Sequence, residues 1–138
     1  MKFTNSKTSE IFLNNQRYFV KRDDLLHSDF SGNKARKFYY FLKNDLQGIE
    51  KIISHGSNQS NAMYSLSVLC KLKNLKFDYY VSHLPDILSK NPNGNYKEAV
   101  KNGMNLIIGE VPTSFQENEL FIAEGGAIKE AKYGIEML

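Results

Sequence analysis

A lysine that follows a polar loop is the first residue whose position could support chemistry. The stretch Ser-Gly-Asn-Lys-Ala-Arg-Lys occupies residues 31–37, and a helical pattern of apolar residues begins at Lys34. The positive end of a helix dipole disfavours an ammonium group and favours the neutral amine. A neutral lysine amine is the form that attacks a carbonyl group. Lys34 is therefore a candidate for covalent catalysis, although a solvated lysine at a helix start has the same pattern.

A polar turn, Gly-Ser-Asn-Gln-Ser-Asn at residues 56–61, is the second candidate. It lies between a predicted strand and a predicted helix, where backbone N–H groups point at any anion, including a carboxylate. Ser60 adds a hydroxyl group, and Asn61 adds an amide that can donate a hydrogen bond to a phenolate oxygen. Helix capping is the simpler explanation, because Ser and Asn are favoured at helix N-termini. The turn alone leaves both interpretations open.

Strands and helices alternate around these two motifs. We predict strands at residues 17–21, 51–54, 77–81, 105–109 and 120–123, and helices at residues 34–47, 62–72, 96–102 and 128–138. This alternation predicts a parallel sheet with right-handed crossovers, and hence a three-layer α/β fold with a small parallel sheet. We divide the chain into a lysine-bearing segment (1–47), a small α/β domain (48–123) and the start of a second domain (124–138).

Three motifs together resemble one known enzyme family. They are Lys-Arg-Asp-Asp-Leu with the lysine stretch that follows it (residues 21–25 and 31–37), Gln-Ser-Asn (59–61) and Glu-Gly-Gly (124–126). In this order they are similar to the family of 1-aminocyclopropane-1-carboxylate (ACC) deaminase and D-cysteine desulfhydrase, pyridoxal-phosphate enzymes of the tryptophan-synthase-β-like fold. Ala123 stands where the family has proline. The resemblance runs from about Tyr18 to Gly126 and implies the smaller domain of that fold, with the C-terminal part of the larger domain missing.

The resemblance implies roles for four residues. Lys34 would form the Schiff base with pyridoxal 5′-phosphate and would move the proton at the Cα of the substrate. Asn61 would hydrogen-bond the 3′-oxygen of the cofactor. Ser60, with the backbone amides of Asn61 and Ala62, would hold the substrate carboxylate, although the family often has histidine in place of Ala62. The implied activity is that of a deaminase or lyase acting on a small amino acid such as ACC or D-cysteine.

The resemblance also implies that the site is incomplete. The family has its phosphate-binding loop, the partner of the pyridine nitrogen and its substrate-selecting tyrosines in a later half of the chain. We therefore expect a truncated chain that holds the cofactor poorly alone. Its last helix should expose an apolar stripe that favours self-association, formed by Ile128, Tyr133, Ile135 and Leu138. The alternative is a non-catalytic α/β domain that binds a partner or is a relic of such an enzyme.

Composition argues against several other classes of protein. The net charge is +3, from 18 basic and 15 acidic residues of mixed order, whereas a nucleic-acid-binding domain concentrates its basic residues. Cys70 is the only cysteine, which excludes an intrachain disulfide and fits a reducing compartment. We see no metal-ligand spacing, no signal peptide and no apolar run near the roughly 20 residues of a membrane span. These observations predict a soluble, cytoplasmic protein. Asp23 and Asp24, beside Arg22, are interpreted as an ion-paired loop and not as an acid/base pair.

Overall fold

The computed structural model describes residues 6–30 and 32–136. It begins with an antiparallel hairpin of β1 (Thr8–Leu13) and β2 (Gln16–Lys21). Asn14 and Asn15 join the two strands with φ angles of 48° and 60°, a left-handed conformation that asparagine tolerates and that two-residue hairpin turns require. The sequence predicted β2 but not β1. Five of the six residues of β1 are exposed, so this strand lacks the alternation of buried and exposed residues that reveals a strand.

Four parallel strands form the central sheet. They are β3 (Lys51–His55), β4 (Lys76–Val81), β5 (Met104–Ile108) and β6 (Glu119–Ile122), in the spatial order β5-β4-β3-β6. Ile52 of β3 and Phe77 of β4 are almost fully buried, as is typical of parallel sheets that are covered by helices. The predicted α/β class with a small parallel sheet is confirmed.

Helices flank this sheet. They are α1 (Gly32–Lys43), α2 (Asn61–Lys73), α3 (Asp86–Lys90), α4 (Gly94–Lys101) and α5 (Ala131–Ile135). Helix α1 begins earlier than predicted, so that Gly32 and Asn33 belong to the helix, while Ser31 of the predicted loop lies outside the described residues. Phe38 of α1 and Leu66 of α2 enter the same core as the sheet residues. Within residues 6–30 and 32–136, no helix combines the length and the apolar character that crossing a membrane requires.

Helix α5 packs directly on α1. Gly134 lies so close to the backbone carbonyl oxygen of Arg36 that a Cβ atom would not fit between the two helices. Tyr133 stacks on Tyr39 with ring centroids 6.2 Å apart. A glycine at the crossing point and an aromatic pair beside it therefore hold the end of the described chain against the lysine-bearing helix.

This packing corrects the expectation of an exposed apolar stripe after Gly126. Ile128 and Tyr133 are partly buried against the core, and only Ile135, which is 46% exposed, points to solvent as expected. The fourth member of the stripe, Leu138, lies outside the described residues. The expectation was wrong for the first two residues, because Tyr133 packs on Tyr39 and Tyr40 of α1 and Ile128 packs against the core.

Candidate functional site

A buried ion pair fixes α1, the helix of the candidate lysine. The guanidinium of Arg36 is 4% exposed and donates to both carboxylate oxygens of Asp23, at 2.9 and 3.1 Å. The hydroxyl of Ser6 donates to the same carboxylate. Asp24 instead pairs with Arg22 at the surface, at 2.7 Å. The prediction of an ion-paired loop is confirmed, and Arg36 is a partner that the sequence did not indicate.

Two lysines of α1 converge on one backbone oxygen. The Nζ atoms of Lys34 and Lys37 donate to the carbonyl oxygen of Gly125, at 2.9 and 3.2 Å. Gly125 has a φ of 70°, a left-handed conformation that glycine adopts at no steric cost. The Glu-Gly-Gly segment and the lysine stretch, about 90 residues apart in the sequence, therefore meet at this oxygen.

The surroundings of Lys34 favour its neutral amine. Burial is the largest cause of a lowered pKa for this lysine, and the positive charge of Lys37 is the second. Burial disfavours the ammonium form, and a like charge held close by adds electrostatic repulsion. The sequence indicated the same direction from the helix dipole, but it did not indicate the contribution of Lys37, whose Nζ is held at the same carbonyl oxygen as that of Lys34.

We expect Lys37→Gln to raise the pKa of Lys34 towards its ordinary value, because the substitution removes the neighbouring charge. Each unit of increase lowers the neutral fraction about tenfold at a pH below the pKa. The measurement is the pH dependence of the rate at which Lys34 is alkylated by a small aldehyde with a mild reductant. The matched control is Lys101→Gln, at an exposed lysine of α4, which should leave the profile unchanged. An unaltered profile in Lys37→Gln would show that Lys37 does not tune Lys34.

A cavity of about 300 Å³ brings the two sequence motifs together. Lys34 and Asn61 both line this cavity, so one residue from each motif faces the same cleft. The complete lining is Gly32, Asn33, Lys34, Asn61, Tyr64, Ser65 and Asn95. The cavity therefore lies between the start of α1, the start of α2 and the start of α4.

Asn61 is held in one orientation by a residue that the sequence did not single out. The side-chain Oδ1 of Asn61 accepts a hydrogen bond from Nδ2 of Asn95, at 2.8 Å. Because the oxygen is engaged, the NH₂ group of Asn61 is the part of the amide that remains to donate, and it has no hydrogen-bond acceptor among the described residues. The only sequence signal for Asn95 is a run of Asn and Gly before a helix, which helix capping explains equally well.

Ser60 caps helix α2. Its Oγ accepts hydrogen bonds from the backbone N–H groups of Ala62 and Met63, at 3.1 and 3.4 Å. Ala62 is 3% exposed, and neither Ser60 nor Ala62 is among the residues that line the cavity. This geometry therefore agrees with the interpretation of the turn as a helix cap. A role of Ser60 and Ala62 in carboxylate binding stays a prediction, and it requires the carboxylate to replace Ser60 as the acceptor for the amide of Ala62.

A larger cavity of about 500 Å³ lies at the carboxyl ends of the parallel strands. It is lined by His55, Gly56, Ser57, Tyr80, Ser82, Gly109, Glu110, Val111 and Glu124. Its described lining contains no lysine, and the ring of His55 stacks on Phe121 with centroids 5.8 Å apart. Size alone favours this cavity, but the Lys34 amine, whose pKa is lowered mainly by burial, and the Asn61 amide both line the smaller one. We therefore place the candidate site at Lys34 and Asn61.

The fold and the site together define the class of protein. It is an α/β chain in which the helix that carries Lys34 and the polar turn between β3 and α2 meet at one cavity. The fold is similar to that of a solved ACC deaminase homologue, with a TM-score of 0.73 and 22% sequence identity. The match covers 96% of this chain and 46% of that chain, so this chain spans less than half the length of the solved protein. No protein-family model and no curated protein matches the sequence. The likeness shows a shared fold.

Proposed function

We propose that the cavity between α1 and α2 is the lysine-bearing side of a pyridoxal-phosphate site that acts on a small amino acid. The observation that carries the proposal is the presence of the Lys34 amine and the Asn61 amide on one cavity of about 300 Å³. The fold of the solved ACC deaminase homologue supports the same assignment. The match covers 46% of that protein. The proposal therefore concerns the residues that this chain contributes to such a site.

The residues at the cavity fit this cofactor in three respects. The volume lies at the lower end of the roughly 300–1,000 Å³ of small-molecule sites. The pKa of Lys34 is lowered by burial and by Lys37, which favours the amine form that attacks an aldehyde carbon. Asn61 has an NH₂ group free to donate to a phenolate oxygen, because its own oxygen accepts from Asn95. In the family that the sequence resembles, the phosphate group is bound by a later segment of the chain.

Each residue of this chain would then have a distinct task. Pyridoxal phosphate, when bound, supplies the electron sink that stabilises negative charge at the Cα of an amino acid. The Lys34 amine would attach the cofactor covalently and then accept or return a proton of the substrate, which in D-cysteine is the proton at Cα and in ACC, whose Cα carries no hydrogen, is a proton on a neighbouring carbon. The Gly125 carbonyl oxygen keeps the Lys34 Nζ in place, 2.9 Å away, before the cofactor arrives. Asn61 would orient the ring through its phenolate oxygen. Ser60, with the amides of Asn61 and Ala62, would hold the substrate carboxylate at the start of α2.

The substrate class that we propose is a small amino acid of the ACC or D-cysteine type. The reaction class is a deamination or a lyase-type elimination. Such a reaction releases ammonia together with a keto acid, which is α-ketobutyrate from ACC and pyruvate from D-cysteine. D-cysteine also loses its thiol group as sulfide. Keto-acid release therefore reports on both substrates in the same assay.

A spectroscopic titration with pyridoxal phosphate tests the proposal. We expect a saturable visible absorption band that disappears on reduction with borohydride, which fixes the cofactor to an amine. Addition of D-cysteine or ACC before reduction should change the band. A spectrum that equals the sum of free cofactor and protein at every concentration would contradict the proposal and favour a non-catalytic α/β domain.

A further inference from the structure

The polar turn and the start of α4 are joined by a set of side-chain hydrogen bonds. Asn95 donates through Nδ2 to the backbone oxygen of Gln59 at 3.0 Å and to Oδ1 of Asn61 at 2.8 Å. Gln59 in turn donates through Nε2 to the backbone oxygen of Asn93 at 3.2 Å, and its Oε1 accepts from the backbone N–H of Tyr96 at 3.3 Å. Two segments more than 30 residues apart are therefore fixed to one another by reciprocal amide contacts.

A glycine at the start of α4 permits this close approach. Gly94 has a φ of 56°, and a Cβ atom there would lie 2.6 Å from Oε1 of Gln59. Any larger residue would push the side chain of Gln59 away, and the left-handed backbone would be strained as well. The local backbone is thus suited to holding the start of α4 against the turn.

The contact between Asn95 and Asn61 has a directional consequence. The terminal torsion of an asparagine side chain is broad and roughly two-fold, so an unrestrained amide can present either its oxygen or its NH₂ group. Donation from Asn95 to the oxygen of Asn61 selects one of these two orientations, because two NH₂ groups facing each other would form no hydrogen bond. The NH₂ group of Asn61 is then the end available at the cavity that both residues line.

We propose that Asn95 is a positioning residue, which fixes the Asn61 amide so that its NH₂ group is the donor presented to a ligand in the cavity. The inference rests on the proposed function for the identity of that ligand, but the orientation of Asn61 exists without it. A hydrogen-bonding group that must meet a ligand oxygen works best when neighbouring residues lock its rotamer. Asn95 would influence the ligand indirectly, through its one hydrogen bond to the side-chain oxygen of Asn61.

The first test uses the cofactor-free protein, so that it is independent of the proposed function. In ¹⁵N-labelled protein, Asn95→Ala should shift the side-chain NH₂ signals of Asn61 and speed the interconversion of its two amide protons. The matched control is Asn93→Ala, because the Asn93 side chain bonds only the nearby Asn91 oxygen at 3.1 Å and its backbone contact to Gln59 is retained. Asn61 signals that are unchanged in Asn95→Ala would overturn the proposal. Signals that move equally in Asn93→Ala would also overturn it, since a general loosening of the loop would then explain them.

The second test uses the protein with pyridoxal phosphate. Asn61→Ala and Asn95→Ala should each shift the visible band in the same direction and weaken cofactor binding by about two- to tenfold, the range for loss of one hydrogen bond. The double variant should bind the cofactor no more weakly than Asn61→Ala, because the proposed effect of Asn95 on the cofactor is exerted through the Asn61 amide. Additive effects of the two substitutions would overturn the positioning role. If the wild-type protein shows no band at all, the proposed function fails, and the signals of Asn61 in the cofactor-free protein still decide the role of Asn95.

Discussion

Asp23→Ala is expected to lower the free energy of unfolding by about 3–5 kcal/mol, because it leaves a buried guanidinium without its partner. The side chain of Arg36 is 4% exposed, and that of Asp23 is 18% exposed. Among the described residues, the guanidinium would keep the hydroxyl of Ser6 as its hydrogen-bonding neighbour, at 3.3 Å. Chemical denaturation at neutral pH measures the loss.

The chain provides a matched control for this prediction in the next residue. Asp24 pairs with Arg22 while both side chains are well exposed, at 58% and 37%. Exposed ion pairs contribute about 0–1 kcal/mol, so Asp24→Ala should have an effect in that range. Equal losses for Asp23→Ala and Asp24→Ala would contradict the special role of the buried pair.

The same pair makes stability depend on pH. The hydrogen bonds from Arg36 are the main cause of a lowered pKa for Asp23, and burial opposes them. A carboxylate whose folded pKa is lowered stabilises the fold above its unfolded pKa, near 3.9, and this contribution is lost as the pH falls through the folded pKa. The difference in stability between wild type and Asp23→Ala should therefore be full at neutral pH and shrink in acid. A difference that stays constant down to the lowest pH at which both proteins fold would contradict this account.

Lys34→Ala is expected to abolish the site-specific fixation of pyridoxal phosphate and any turnover of D-cysteine or ACC. Covalent attachment is lost together with the group that moves the substrate proton, and positioned proton transfer alone is typically worth about 10²–10⁴-fold in rate. The measurements are the amount of cofactor fixed by borohydride at a low cofactor concentration and the release of keto acid. The Glu-Gly-Gly segment should stay in place, since Lys37 also donates to the carbonyl oxygen of Gly125 that Lys34 contacts.

Lysine-rich proteins react with aldehydes at several sites, so the Lys34→Ala experiment needs a matched control. The side chain of Lys101 is 72% exposed and pairs with Glu98, at 3.4 Å. Lys101→Ala should therefore fix as much cofactor as the wild type at low concentration. Equal fixation by all three proteins would indicate non-specific reaction at the surface and would contradict the assignment of the site.

The sheet could be predicted from the sequence because its signal is local, in apolar strands that alternate with helices. The motifs around Lys34 and Asn61 contain two residues that line one cavity in the fold, and the roles assigned to these residues stay predictions. The strand β1 gave no such signal, since most of it is exposed. The start of α1 was misplaced because Gly32 and Asn33 have the composition of a loop.

The remaining parts of the site depend on contacts between distant segments, which local patterns do not encode. Lys37 looks like an ordinary surface lysine until Gly125, 88 residues away, offers its carbonyl oxygen. Arg36 looks like part of a basic patch, yet it faces inward to Asp23. Asn95 resembles a capping residue, and only the folded chain places it 2.8 Å from Asn61.

Peptide mapping after borohydride fixation of pyridoxal phosphate tests the central claim most directly. The wild-type protein is incubated with a low concentration of the cofactor, reduced, digested and analysed by mass spectrometry. We expect the label on Lys34, whose pKa is lowered by burial and by Lys37 and which lines the same cavity as Asn61. A label on Lys37 or Lys21 in place of Lys34, or one spread over the surface lysines in proportion to their exposure, would contradict the assignment of this cavity as a cofactor site.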